Sequence, residues 1–269
     1  MDYFQIAKEI RKKVLKMFFD SQTAHIGSSL SEVDILTILY SKILSIDPKN
    51  PTAEDRDRFL LSKGHGAAGL YATLAQRGFF PEETLDTYCQ DGGKLPGHST
   101  RNCVPGVEVS TGSLGHGLPM GCGMALAGKR DSKKYRVFVL LSDGECDEGS
   151  NWEAALFASH HKLDNLIVII DYNKLQAFGR TNEVLNLEPL KEKWQSFGWR
   201  VKEIDGHNFS EIENAFSQIP FEKTKPNLII ANTVKGKGVS FMENKLESHY
   251  LNLDQEQYEK ALKEICQKE

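Results

Sequence analysis

Two polar residues stand at the ends of two apolar runs in the middle of this chain. VFVLLS (137–142) is followed at once by Asp143-Gly144, and LIVIID (166–171) is followed two residues on by Asn173. One carboxylate and one amide oxygen make a poor zinc site, because zinc favours thiolate and imidazole ligands. They make a fair magnesium site, since Mg²⁺ takes oxygen ligands at about 2.0–2.1 Å and readily shares them with substrate phosphates. Gly144 adds a backbone N–H that a phosphate could approach closely, with no side chain in the way. Taken alone, the pair reads more readily as a helix cap at Asp143 and a turn residue at Asn173.

The surrounding pattern says what must position these residues. Residues 3–20 place Ile6, Ile10, Val14 and Met17 at helical spacing, with Arg and Lys between them. After a break at TAHIGSS, Ser31 is expected to cap a second helix running to about Leu44, with Glu32 and Asp34 in its first turn. DPKNP (47–51) is a turn, and RFLLS (58–62) a short strand that leads through KGHG into a helix near 66–76. Residues 78–118 are rich in Gly, Pro and His with little periodicity; a loop this long in a compact domain is usually functional or disordered. Strands are predicted at 137–142, 166–171, 199–204 and 228–234. Helices are predicted at 151–160, about 210–219 and 254–266, and DGHN (205–208) is a turn. Apolar strands alternating with helices predict an α/β fold, a mostly parallel sheet with helices on both faces. Ligands of such sheets bind outside the carboxyl ends of the strands, where Asp143 and Asn173 both fall.

Bulk properties exclude several partners. The 269 residues are 40% hydrophobic and 26% charged, with a formal net charge of −4. Nucleic acid or an acidic membrane surface calls for a basic excess that is not there. The five cysteines form no CxxC pair and read as reduced thiols of a cytoplasmic protein. The start, MDYFQIAKEIRKKV, has no signal-peptide core, and no apolar run reaches membrane-spanning length.

Longer motifs carry a resemblance. The stretch from Asp143 to Asn173 resembles the thiamine-diphosphate motif, which begins G-D-G and ends N-N or D-x-N, with Ser142 here in place of the leading Gly. DPKNPTAEDRDRFLLSKGHGAAGLYA (47–72), LPGHS (95–99) and VEVSTGSLGHGLPMGCGMALA (107–127) are similar to segments of transketolases, with His116 where Gln is usual. TAHIGSSLS (23–31) resembles the family's G-H-x-G segment, with Ala24 replacing the first Gly. The motifs occur in the family's order and cover almost the whole chain.

The resemblance implies a single thiamine-diphosphate-binding domain over 1–269 and a set of roles. Asp143, Asn173 and the Leu175 carbonyl would ligate Mg²⁺. Gly144, Glu145, His65, Asn173 and His249 would meet the cofactor's diphosphate end, and Gly112, Ser113 and Leu114 its rings. His25, His65 and His98 would be catalytic, lining a channel where imidazoles exchange protons with sugar hydroxyls. His116 could reach the cofactor, whereas His160, His161 and Cys146 are given no role. The activity implied is transfer of a two-carbon ketol unit from a ketose or its phosphate to an aldose or its phosphate. In the family, the glutamate that activates the cofactor belongs to a second, pyrimidine-binding domain. No segment here resembles that domain. The chain is therefore expected to be the N-terminal subunit of a split transketolase. Its partner would be a separate C-terminal transketolase chain, and the assembly a dimer of heterodimers. The alternatives are half of another thiamine-diphosphate enzyme, of the 2-oxo acid dehydrogenase α or deoxyxylulose-phosphate synthase type, or a silent cofactor-binding scaffold.

Overall fold

The computed structural model describes residues 2–267. Helix α1 (Tyr3–Ser21) is capped by the Asp2 side chain and buries Ile10, Val14, Leu15 and Phe18 along one stripe. Two short helices follow, α2 (Ile26–Ser31) and α3 (Val33–Ile38), then strand β1 (Arg58–Leu61) and α4 (Ala67–Gln76). The remaining order is α5 (Gly117–Arg130), β2 (Val137–Ser142), α6 (Gly149–His160), β3 (Leu166–Tyr172), α7 (Thr181–Val184), α8 (Leu190–Ser196), β4 (Arg200–Asp205), α9 (Phe209–Ser217), β5 (Asn227–Asn232) and α10 (Gln255–Gln267).

The strands form one parallel sheet in the order β1-β2-β3-β5-β4. Every residue of β2 and β3 is buried, as expected of strands covered on both faces. Alternate residues feed two cores. Phe138, Leu140, Ile167, Ile169 and Ile229 join α1–α4, α9 and α10 on one face. Val137, Val139, Leu166, Val168 and Leu228 join α5, α6 and α8 on the other. β4 closes an edge with Arg200, Lys202, Glu203 and Asp205, charges that discourage pairing with a further strand.

The α/β fold is as the sequence predicts, and differences lie in the helices. Ser31 does not cap a helix but ends α2. Its hydroxyl is engaged by the Ser28 carbonyl and the Asp171 carboxylate, a partner from β3 that no local pattern could reveal. The expected single helix from Ser31 to Leu44 is broken into α3 and a π-helical turn at Leu39–Ile43. The long segment 78–118 is packed rather than loose, with Phe79, Phe80, Tyr88, Leu95 and Val107 buried against α1 and α4. Helix α5 has no counterpart in the sequence reading, because its glycines hide it. Those glycines serve packing: a Cβ on Gly121 would lie 2.6 Å from Val139 Cγ2, and one on Gly128 would lie 2.8 Å from the Tyr135 ring.

Two positions on α5 should therefore respond oppositely. Gly123 has open space around it, so Gly123→Ala should stabilise by about 0.5–1 kcal/mol through helix propensity and a less free unfolded chain. Gly121→Val forces α5 off β2 and should cost about 1–3 kcal/mol. Urea unfolding of both variants checks the pair.

Candidate functional site

Loops from the carboxyl ends of β1, β2, β3 and β5 converge with the His25 and His249 segments on a cavity of about 300 Å³. Asp143 and Gly144 follow β2, and Asn173 to Phe178 follow β3. Lys63 and His65 follow β1, and Lys235 follows β5. His98, Gly112 and Leu114 come from the long segment between α4 and α5, and His25 and Ser28 from the start of α2.

At the floor of the cavity Asp143 is 2% exposed. Its carboxylate accepts the N–H groups of Gly144 at 2.8 Å and Lys174 at 2.5 Å rather than pairing with a side-chain cation. Burial, with the nearby Asp171 charge, pushes its pKa up to about 6, against the pull of those two N–H groups and Lys235. The Asn173 amide oxygen accepts the Leu175 N–H at 3.0 Å, and the Leu175 carbonyl turns to the cavity rim, where it accepts Lys235 Nζ at 3.1 Å. The available donors are oxygens, with one carboxylate among them. Among the described residues, no cluster of His, Cys, Asp and Glu that could hold a metal ion is found. A buried carboxylate without a side-chain counter-cation, beside an amide and a carbonyl oxygen, suits Mg²⁺ completed by phosphate oxygens, and a dication there would reverse the rise in the Asp143 pKa.

Four imidazoles form the wall. The His25 ring centroid lies 5.5 Å from His65, 5.6 Å from His98 and 4.9 Å from His249. His25 has φ 86°, a left-handed conformation uncommon outside glycine, and its N–H is donated to the His249 carbonyl at 2.7 Å. Gly112, with φ 153°, brings its backbone against His98, where a Cβ would lie 3.3 Å from the ring. Burial is the largest cause lowering every one of these pKa values: His25 to about 4, His249 to about 3, His65 well below and His98 below the ordinary value. Lys235 reinforces this at His25, His65 and His249. All four rings are neutral at pH 7. Lys235 Nζ reaches His249 Nδ1 at 2.9 Å; an ammonium only donates, so His249 carries its proton on Nε2.

Not every expected residue lines the cavity. Ser113 is exposed and lies outside it. Glu145 is fully buried behind it, where its carboxylate accepts the Ser62 hydroxyl and the Gly115 and Ser142 N–H groups, so it braces the loops instead of facing a ligand. His116, His160 and His161 lie outside the cavity as well. Cys146 is buried, which raises its thiol pKa well above the ordinary value and leaves it unreactive. Seven lining residues had no role in the sequence reading: Ser28, Lys63, Ser142, Gln176, Ala177, Phe178 and Lys235. Lys235 directly follows the strand predicted at 228–234, and that position was the only hint the sequence offered.

The sequence matches the family described as transketolase, thiamine diphosphate binding domain, over residues 4–267. The chain belongs to this family. It is 46% identical over 259 residues to the 6-deoxy-6-sulfo-D-fructose transketolase subunit SqwG of Clostridium sp. (strain MSTE9), covering 96% of this chain and 94% of that one. It is 45% identical to an apulose-4-phosphate transketolase subunit of Actinobacillus succinogenes, with the same coverage. Human transketolase is 38% identical over 263 residues, but these are only 41% of its length. Among solved structures, Campylobacter jejuni transketolase superimposes with a TM-score of 0.91 at 35% identity, over 97% of this chain and 43% of that one. The transketolase relatives thus include proteins of two lengths, and this chain matches the short ones nearly end to end.

The depressed histidines give a pH test. Unfolded imidazoles protonate near pH 6.5 and the folded ones at lower values, so the folded chain binds fewer protons there. The stabilisation is present above about pH 6.5 and is lost as pH falls through the folded values. Glu32 and Asp143, both raised, act in the opposite sense, so a difference between variants is the clean measure. Below pH 6.5, His65→Asn should flatten the fall of stability by up to about 1.4 kcal/mol per pH unit, the value of one proton. Urea midpoints across that range read it directly.

Proposed function

We propose that this chain is the diphosphate-binding subunit of a two-chain transketolase. It would be one domain of the enzyme, with the pyrimidine-binding domain and its activating glutamate on a separate C-terminal chain, and the working assembly a dimer of such heterodimers in the cytoplasm. The observation that carries the reading is the match in length: 94% of subunit-type relatives, but only 41% of a full-length transketolase, joined to a cavity with a diphosphate-and-metal end. Apolar surface at the cavity mouth supports a covering partner, since Phe178 is 81% and Tyr250 59% exposed there. Among the described residues no helix is long and apolar enough to cross a membrane.

In this reading Asp143, Asn173 and the Leu175 carbonyl hold Mg²⁺, and the Gly144 N–H, His65, His249 and Lys235 receive the diphosphate. Bound thiamine diphosphate supplies the acidic carbon and the electron sink that ketol transfer requires. The chain's own work is binding, orientation and proton traffic. Gly112 and Leu114 support the cofactor's rings at the side of the cavity. His25 and His98, neutral at pH 7, can each take or give one proton at a sugar hydroxyl without first losing a charge. Asp143 and Asn173, 2% and 6% exposed, would keep the metal end largely out of bulk water. The sugars named for the two subunit relatives differ, so the substrate class proposed is a ketose donor and an aldose acceptor, free or phosphorylated.

The test begins with the chain drawn from its native lysate with Mg²⁺ and thiamine diphosphate, followed by native mass spectrometry of the complex. A stoichiometric second chain with retained cofactor, and two-carbon transfer only when both chains are present, is expected. Full transfer activity from this chain alone would refute the divided site. In the assembled enzyme, His98→Asn should lower kcat by about 10²-fold or more while cofactor affinity changes little. A silent scaffold would show no such loss.

A further inference from the structure

The segment after β5 is held by a second ionic chain that the proposed function does not use. Arg11 on α1 grips Asp34 on α3 with both ends of its guanidinium, Nη1 to Oδ1 at 2.9 Å and Nη2 to Oδ2 at 2.7 Å. His207, in the turn between β4 and α9, places Nδ1 2.7 Å from Asp34 Oδ2. Its other ring nitrogen, Nε2, accepts the backbone N–H of Val234 at 2.8 Å. An amide N–H can only donate, so Nε2 carries no proton and the neutral ring must be protonated on Nδ1, which donates to Asp34. Each nitrogen therefore has one fixed task.

Val234 immediately precedes Lys235, one of two buried lysines that line the cavity. Lys235 is 1% exposed, and its ammonium spans the carbonyls of Leu175 and Gln176 and the ring of His249. The same Arg11 also donates Nε to the Lys237 carbonyl at 3.2 Å, two residues beyond Lys235. The lysine is thus bracketed on both sides by one strut rooted in α1 and α3. Behind that strut lies a cavity of about 670 Å³ lined in part by Phe4, Arg11, Asp34, His207 and Lys237. His207 lines that cavity, yet its side chain is only 11% exposed, and both its ring nitrogens are taken up by the hydrogen bonds of the strut.

We propose that His207 is a positioning residue: the Arg11–Asp34–His207 chain fixes the Val234–Lys235 peptide and so places the Lys235 ammonium at the diphosphate end of the cavity. The identity of what Lys235 meets rests on the function proposed above; the strut itself rests on the geometry alone.

Pulse acetylation of the full chain, read by peptide mass spectrometry, tests it. Lys63, 0% exposed and bonded to Asp171, is the internal control, because general loosening would expose both lysines. In His207→Asn the short amide can still reach Asp34 but not Val234. Acetylation of Lys235 should then quicken about tenfold, the worth of one buried hydrogen bond, with Lys63 unchanged. His207→Gln, which restores an acceptor to Val234, should recover most of the protection. Calorimetric titration of Mg²⁺ with inorganic pyrophosphate should show a Kd raised about tenfold by His207→Asn, and no further loss when the same change is made on top of Lys235→Met. Equal quickening of Lys63 and Lys235, no quickening of either, or additive losses in the double variant would overturn the proposal. Failure of the unaltered chain to bind magnesium pyrophosphate would instead sink the diphosphate reading, and the acetylation pattern would still decide the strut.

Discussion

The carboxyl edge of the sheet is organised around one buried carboxylate, Asp171, the penultimate residue of β3. One oxygen accepts the Thr233 hydroxyl, from the segment after β5. The other accepts Lys63 Nζ, from the segment after β1, and the Ser31 hydroxyl at the end of α2. Lys63 in turn donates to the Ser28 carbonyl at 2.9 Å and lies 3.1 Å from Glu32. Asp171, Lys63 and Glu32 are all 0% exposed. Such a cluster contributes little net stability, because desolvation offsets attraction, yet removing one partner strands the other and typically costs about 3–5 kcal/mol. Its value is geometric. Three chain segments that carry cavity residues can meet β3 in only one arrangement if no charge is to be left alone.

The same cluster sets the charge of the cavity. Burial and the Asp171 charge push Glu32 up to about 8, against Lys63, so Glu32 is mostly protonated at pH 7 and Asp171 keeps the lysine as its ion partner. That leaves Asp143 as the carboxylate at the cavity floor and Lys235 as a buried cation lining the same cavity. Burial lowers Lys235 to about 8, a value at which it is still mainly charged at pH 7. An acid, a nearby ammonium and neutral imidazoles have little net attraction for a simple ion. Together they suit a ligand that brings both signs at once, as a metal diphosphate does: the metal compensates Asp143, and the phosphate oxygens compensate Lys235.

How much of this was legible in the sequence depends on whether a contact is local. Strands β2 and β3 announced themselves as unbroken apolar runs, and the residues just past them, Asp143 and Asn173, lie where the carboxyl-end rule puts them. His25, His65, His98 and His249 are scattered along the chain, and no periodicity joins them; only the family motifs did, and only the folded chain puts the other three rings within 6 Å of His25. Contacts across the fold stayed hidden. Ser31 looked like a helix cap because its partner, Asp171, is 140 residues away. Helix α5 was lost because Gly121 and Gly128 are needed for close approach to Val139 and Tyr135, which a propensity argument counts as helix-breaking. DGHN read as a turn and Val234 as the last residue of a strand, and no local pattern shows the bond between them, His207 to Val234.

The two sides of the cavity are held to different degrees. After β5 the backbone is tied almost residue by residue: Thr233 to Tyr172, Val234 to His207, Lys235 to Asn244, Gly236 to Gly27 and Lys237 to Arg11. After β3 the chain soon leaves such support and reaches Phe178, 81% exposed, through a tight turn closed by Gln176 and Gly179. A charged ligand gains most from groups whose ordering was completed during folding, because binding then loses little further conformational entropy. Lys235 and the Asp143 floor belong to that class. The exposed apolar rim, Phe178 above all, gains instead from being covered. A rigid polar floor beneath an exposed apolar mouth fits the divided site proposed above, in which this chain would bind the anionic end and a partner would cover the mouth.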